Sequence, residues 1–238
     1  MNAVALTTFV REAITPLAKI LAIVSLGGDL VFAAIRALQL NTSLIDVDNG
    51  MLRMDVDGSY PEFFQYAKFL VMALLMVRLT LGTGLGWYLI WAASFLFLMF
   101  DDALMFHERI GEWLTPSLEP FLPDATDTGA VVEFGFFAVV GLAIAGLAAV
   151  GIRRAGGNFR RFSIDMIVLL AIGAMFAVSV DFIHGLLTLG YVANSLFAVA
   201  EDGGEMFAVS LMLTYSAMVS DRQGQLKHWL TDVRRLTD

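Results

Sequence analysis

The chain consists mainly of long apolar stretches that are separated by short polar segments. A helix rises about 1.5 Å per residue, so about 20 apolar residues are enough to cross the hydrocarbon core of a bilayer. The pattern predicts an all-α, polytopic membrane bundle that forms a single domain over residues 1–238. The predicted spans lie near 17–38, 62–81, 86–106, 130–152, 162–184 and 196–219.

Basic residues are concentrated at one end of these predicted spans, and this bias predicts their orientation. Lys and Arg favour the cytoplasmic side of membrane proteins. The loops at 40–61 and 107–129 hold only Arg53 and Arg109, so we expect both loops outside and both termini in the cytoplasm. The tail, 221–238, repeats apolar residues at helical spacing and predicts an amphipathic helix on the inner leaflet. The basic residues that are predicted to lie on the cytoplasmic side are Arg11, Lys19, Arg78, Arg153, Arg154, Arg160, Arg161, Arg222, Lys227, Arg234 and Arg235.

Composition supports an integral protein of an inner-membrane type. Hydrophobic residues make up 58% of the chain, charged residues 16%, and the mean hydropathy is +0.74, whereas soluble domains are about 45–50% apolar and about 25% charged. The absence of cysteine excludes disulfides, thiolate nucleophiles and iron–sulfur clusters. The excess of 23 acidic over 15 basic residues argues against a nucleic-acid partner.

Acidic and imidazole side chains occur at the same predicted depth on three spans. The segment 100–113, FDDALMFHERIGEW, ends the third span, while the fifth ends in SVDFIHG and the sixth begins with AEDGGEM. Ionisable groups at membrane depth are costly and usually face the bundle interior. At 100° per residue, Asp101, Glu108 and Glu112 share one stripe. The predicted ligands are Asp101, Glu108, Asp181, His184, Glu201 and Glu205, with Asp102, His107, Glu112, Asn194 and Asp202 as supporting groups or additional ligands.

This set of side chains is typical of a divalent metal site near the outer face. Carboxylates with few imidazoles favour iron or manganese over zinc, and calcium remains an option. Glu-x-x-His pairs on facing helices hold two metals in carboxylate bundles, and Asp181 with His184 has that spacing once, so a di-iron type of site is one interpretation. Protons on carboxylates are the alternative to a metal.

Three functions remain open from the residues. The first is a metal-dependent membrane enzyme, an oxidoreductase or hydrolase, acting on an amphiphilic substrate such as a lipid or quinone-like molecule. The second is a cation- or proton-coupled transporter, and the third is a non-catalytic subunit with membrane-protein partners or a homo-oligomer. No residue is assigned as catalytic. Asp29 and Lys68, at comparable depth on the first two spans, are predicted to pair.

Overall fold

The computed structural model describes residues 15–41, 50–54, 56, 58–121, 128–176 and 191–222. Within these ranges the regular structure is helical throughout, with no strand, which confirms the predicted all-α class. Two short 3₁₀ turns, Gly50–Leu52 and Glu119–Phe121, accompany the α-helices. The helices are α1 (Pro16–Asn41), α2 (Tyr60–Thr83), α3 (Tyr88–Leu104), α4 (Phe106–Leu118), α5 (Thr128–Ala155), α6 (Gly157–Ala174) and α7 (Tyr191–Asp221).

Helix α2 begins and ends at local sequence signals. Pro61 lies in its first turn, where the missing N–H of proline removes no helical hydrogen bond. Gly84 follows the helix with φ of 70°, in the left-handed region that glycine adopts without steric cost, and its N–H bonds to the carbonyl of Thr80. The observed helix therefore extends the predicted span, 62–81, by about two residues at each end.

A sharp bend separates α3 from α4. Met105 has a φ of 51°, and its N–H bonds to the carbonyls of Asp101 and Asp102, which ends α3. Helix α4 starts at the next residue and leaves at 65° to α3. The sequence predicts one straight helix over the third span, 86–106, and the side chains of α4 therefore point in different directions from those that the prediction gives.

Helix α7 lies at the centre of the bundle, in contact with α1, α2 and α6, while α2 packs on α3 and α4 packs on α5. At the end of the bundle where α3 and α6 begin, aromatic rings form a dense core. The ring of Tyr88 lies 5.2 Å from that of Phe159 and 5.6 Å from that of Phe162, and Trp91 is completely buried. Phe162 also stacks on Tyr215 of α7, at 5.6 Å.

Three helices in the described ranges are long and apolar enough to cross a membrane: Pro16–Gln39, Tyr60–Thr83 and Val131–Ala155. The bent pair α3 and α4 makes a fourth if it is counted as one span. The fold is therefore compatible with an integral membrane protein, and the six predicted spans and their orientation stay predictions. Residues 177–190 and the predicted amphipathic tail from 223 onward lie outside the described residues.

Candidate functional site

An acidic cavity of about 460 Å³ lies at the end of the bundle opposite the aromatic core. It is bordered by the first turns of α2, the end of α3, the starts of α4 and α5, the end of α6 and the middle of α7. Apolar side chains, including those of Phe69, Leu98, Leu170, Val209 and Met212, form its wall on the bundle side. Among the described residues, its polar lining consists of seven carboxylate residues, one histidine and one amide: Glu62, Asp102, Glu108, Glu133, Glu201, Asp202, Glu205, His107 and Gln65.

Glu62 is held at the cavity rim by the first turns of α2. Its Oε2 accepts a hydrogen bond from the hydroxyl of Tyr66 at 2.8 Å, one helical turn later. The same oxygen accepts a hydrogen bond from the backbone N–H of Gly58, in the segment that leads into the helix. These donors fix the direction of the carboxylate, so its orientation does not depend on a ligand.

Gln65, one turn further along α2, reaches across the cavity to α7. Its Nε2 donates to Oε1 of Glu205 at 2.7 Å. Glu205 also interacts electrostatically with Glu62, and Asp102 interacts with both of these carboxylates. Three acids from three different helices thus lie within electrostatic range of one another, in a cavity with an apolar wall.

The bend at Met105 brings a histidine to the cavity. The carboxylate of Asp101 is 1% exposed, and its Oδ1 accepts the backbone N–H of His107 at 3.1 Å. The other oxygen, Oδ2, lies 3.4 Å from Nδ1 of the same imidazole. On the far side of the ring, Nε2 lies 3.8 Å from Oε1 of Glu108. Asp101 therefore stabilises both the turn and the orientation of His107 instead of facing the cavity itself.

The residues predicted from the sequence fall into three groups. Glu108, Glu201 and Glu205 line the cavity, and so do three residues predicted as supporting groups, Asp102, His107 and Asp202. Asp101 is buried behind His107. Glu112 is exposed and takes no part in the lining, because the bend turns α4 away from the straight path that the sequence suggested. Asp181 and His184 lie outside the described residues, as does the side chain of Asn194.

No three His, Asp or Glu side chains in the described part of the chain are grouped closely enough to hold a metal ion. The predicted metal site, including its di-iron form, is therefore not supported as a preformed group of ligands there. The carboxylates instead surround a larger space, which is of the size that a small molecule or a hydrated ion occupies.

The sequence interpretation did not single out Glu62, Gln65 and Glu133, which also line the cavity. Glu62 stands at the start of the predicted second span and Glu133 near the start of the fourth. Both lie at the same predicted membrane depth as the acids of the third and sixth spans. They are therefore found when the depths of the acidic residues are compared across all predicted spans. Gln65 carries no charge, and no sequence signal distinguishes it from other polar residues at helix ends.

The fold and the cavity define an all-helical protein with several membrane-length helices and a carboxylate-lined cavity at one end. The chain belongs to the family described as "Domain of unknown function (DUF8692)", which matches residues 29–219. This range contains every described residue that lines the cavity. No curated protein and no solved structure matches the chain.

Proposed function

We propose that this protein is an integral membrane protein that binds a divalent metal ion in the acidic cavity. The observation that supports the proposal is the lining itself, in which seven carboxylate residues and one imidazole of the described helices face one space. Like charges that are partly removed from water repel one another strongly, and a bound cation or bound protons relieve the repulsion. A doubly charged cation compensates two carboxylates at once, which makes it the most economical occupant.

The donor types favour manganese or iron over zinc, with calcium as a further candidate, because oxygen ligands predominate and His107 is the single imidazole of the described lining. Asp102, Glu108 and Glu205 are the principal candidate ligands. They stand on α3, α4 and α7, and binding a shared ion would require their side chains to rotate toward it. Gln65 would orient Glu205, as hydrogen-bond donors commonly orient metal-binding carboxylates.

We further infer six membrane crossings, with the cavity open to the outer side. Arg153, Arg154, Arg160 and Arg161 stand at the junction of α5 and α6, at the opposite end of the bundle from the cavity. Arg78, which pairs with Asp221 at 3.0 Å, stands at that same end. A cytoplasmic position for this arginine-rich end follows from the positive-inside preference.

The cavity combines an acidic half with an apolar half, and this combination supports a metal-dependent enzyme that acts on an amphiphilic molecule. The apolar wall would hold a lipid-like or quinone-like chain, while the acids would place a metal beside its polar head. Oxidation or hydrolysis are the reaction classes that such a metal serves. No catalytic residue is assigned beyond these candidate ligands.

Cation transport is the second candidate function, and the 65° break between α3 and α4 is the observation that favours it. Transporters commonly place ion-binding groups at interrupted helices. Here the break at Met105 lies next to His107 and Glu108, both of which line the cavity. Uptake of Mn²⁺ into proteoliposomes that contain the protein would favour transport, whereas binding without uptake would favour the enzyme.

The decisive experiment is a measurement of metal content and Mn²⁺ affinity in detergent-purified protein. We expect wild type to bind Mn²⁺ and the Asp102→Asn and Glu205→Gln variants to bind it at least about tenfold more weakly, since each loses one carboxylate ligand. Glu119→Gln is the matched control, because Glu119 is exposed and takes no part in the lining. A wild-type protein that holds no metal and binds no Mn²⁺ would overturn the proposal. Unchanged Mn²⁺ affinity in both cavity variants would mean that the metal does not bind in the cavity.

A further inference from the structure

A second polar cluster lies beside the apolar wall of the cavity, deeper in the bundle than the cavity's acidic residues. It consists of Asp29 on α1, Lys68 on α2 and Ser210 on α7. The side chain of Lys68 is 2% exposed and that of Asp29 8% exposed. Lys68 Nζ lies 2.9 Å from Asp29 Oδ1, which confirms the pairing predicted from the sequence. The cluster joins three helices that are distant in sequence.

The hydrogen bonds of this cluster are complete around the ammonium group. An ammonium has three donors and no acceptor. Lys68 Nζ donates to Asp29 Oδ1, to the carbonyl of Met206 at 3.0 Å and to the Ser210 hydroxyl at 3.4 Å. The Ser210 hydroxyl in turn donates to the other oxygen of Asp29. Lys68 also lies 5.2 Å from the centre of the Phe64 ring, a favourable position for a cation. This arrangement fits a charged lysine.

A buried ion pair of this kind contributes little net stability, because removing both charges from water costs about as much as their attraction returns. An apolar pair of similar size would hold the three helices at least as well. The charge of Lys68 therefore calls for an explanation other than packing.

Lys68 lies close to two residues that line the acidic cavity, Gln65 and Glu205. Lys68 follows Gln65 by three residues on α2, so the two side chains lie on the same face of the helix. Its ammonium bonds to the carbonyl of Met206, the residue next to Glu205. Glu205 and Lys68 interact electrostatically, so the positive charge acts on the cavity carboxylate that Gln65 also contacts.

We propose that Lys68 is a built-in counter-charge for the acidic cavity and limits how tightly the cavity holds a cation. When the cavity is empty, the ammonium partly compensates Glu205 and the acids around it. When a cation enters, it meets a fixed positive charge on the far side of Glu205, which weakens its binding. Asp29 holds the ammonium and cancels part of its field, so the cluster sets the affinity at an intermediate level. This inference rests on the proposed cation binding.

The test is the Mn²⁺ dissociation constant of wild type, of Asp29→Asn and of the double variant Asp29→Asn/Lys68→Met. The double variant removes the whole ion pair and leaves no uncompensated buried charge, so we expect a folded protein that binds Mn²⁺ about fivefold more tightly. Asp29→Asn removes only the compensating charge, and with Lys68 still protonated through its bonds to Met206 and Ser210 we expect it to bind Mn²⁺ about threefold more weakly than wild type. Thermal unfolding of each purified variant checks that the bundle remains intact.

The order of the three affinities separates an electrostatic role from a structural one. Loss of a merely structural tie would weaken binding in both variants or leave it unchanged in both. If wild type binds Mn²⁺ and the double variant binds it equally or more weakly, the counter-charge role of Lys68 is wrong and the proposed function stands. If wild type holds no metal and binds no Mn²⁺, the proposed function fails, and the inference fails with it.

Discussion

Gln65 on α2 and Glu205 on α7 are 140 residues apart in sequence and are joined by a hydrogen bond of 2.7 Å between Nε2 and Oε1. This bond crosses the cavity between two helices that each carry further acids, Glu62 on α2 and Asp202 on α7. A neutral amide donor fixes the direction of a carboxylate without placing a positive charge beside it. Gln65 therefore keeps Glu205 turned toward the cavity while leaving its charge available to a cation.

Replacing Gln65 by leucine tests this orientation. We expect Gln65→Leu to weaken Mn²⁺ binding about tenfold, because partners that orient metal-binding groups typically account for about 10–100-fold in affinity. Thr83→Ala is the control on the same helix, since the Thr83 hydroxyl donates to the carbonyl of Leu79 at 2.7 Å and accepts from the backbone N–H of Leu85 at 3.2 Å, both at the end of α2 away from the cavity. Isothermal titration of both variants provides the measurement. Equal affinities in Gln65→Leu and wild type would show that Glu205 needs no such support.

Two adjacent glycines of α7 differ in their surroundings, and this difference predicts opposite effects of substitution. A Cβ at Gly204 would overlap the ring of Phe176, whereas the nearest atom to a Cβ at Gly203 is the Cε of Met54, at 3.9 Å. We expect Gly204→Ala to destabilise the protein by about 1–3 kcal/mol through overpacking. Gly203→Ala should be neutral or stabilising by up to about 1 kcal/mol, because alanine favours the helix.

Thermal unfolding of the two alanine variants in the same detergent makes this comparison. The midpoint should fall for Gly204→Ala and stay or rise for Gly203→Ala. The same direction of change in both variants would contradict the close approach of α7 to Phe176.

Much of the fold follows from local signals in the chain. Pro61 and Gly84 enclose an apolar stretch, and α2 begins and ends beside them. The pairing of Asp29 with Lys68 was predictable because two opposite charges at one depth in an apolar bundle have few other partners. These features depend on length, hydropathy and single residues, which one sequence displays directly.

The bend at Met105 was not predictable from the sequence. The segment ALMFHER contains neither glycine nor proline, so a straight helix was the natural interpretation. That interpretation placed Glu112 on the stripe of Asp101 and treated His107 as a supporting group. The bend instead exposes Glu112 and turns His107 into the cavity. The left-handed backbone conformation of Met105 therefore changes the expected roles of His107 and Glu112.

The aromatic end of the bundle depends on a buried hydrogen bond. Nε1 of Trp91 donates to the hydroxyl of Ser163 at 3.0 Å, and both residues are completely buried. We expect Ser163→Ala to cost about 1–3 kcal/mol, because the indole N–H is then left without an acceptor. Ser94→Ala is the control, since the Ser94 hydroxyl bonds only to the carbonyl of Ile90 within its own helix. Thermal unfolding followed by tryptophan fluorescence should show a clearly lower midpoint for Ser163→Ala and little change for Ser94→Ala. Equal midpoints in the two variants would mean that the hydrogen bond between Trp91 and Ser163 contributes no net stability.

Substitutions of Met105, which has a left-handed backbone conformation, test whether the bend between α3 and α4 supports Mn²⁺ binding in the cavity. A non-glycine residue there costs about 1–2 kcal/mol, a cost that glycine avoids. Glycine also adds about 0.4–1 kcal/mol of chain entropy to the unfolded state. These two effects nearly cancel, so we expect Met105→Gly to keep both the stability and the Mn²⁺ affinity of wild type.

A β-branched residue strongly disfavours the backbone conformation that Met105 adopts, with φ of 51°. Met105→Val should therefore lower the unfolding midpoint and drive α3 and α4 toward one straight helix. In a straight helix His107 and Glu108 would turn away from Asp102 and the cavity, so Mn²⁺ affinity should fall at least about fivefold. The matched control is Met99→Val, the same substitution inside regular α3, where we expect a cost below about 1.5 kcal/mol and unchanged binding. If Met105→Val binds Mn²⁺ as tightly as Met99→Val does, the bend does not hold the imidazole and its neighbouring carboxylate at the cation site.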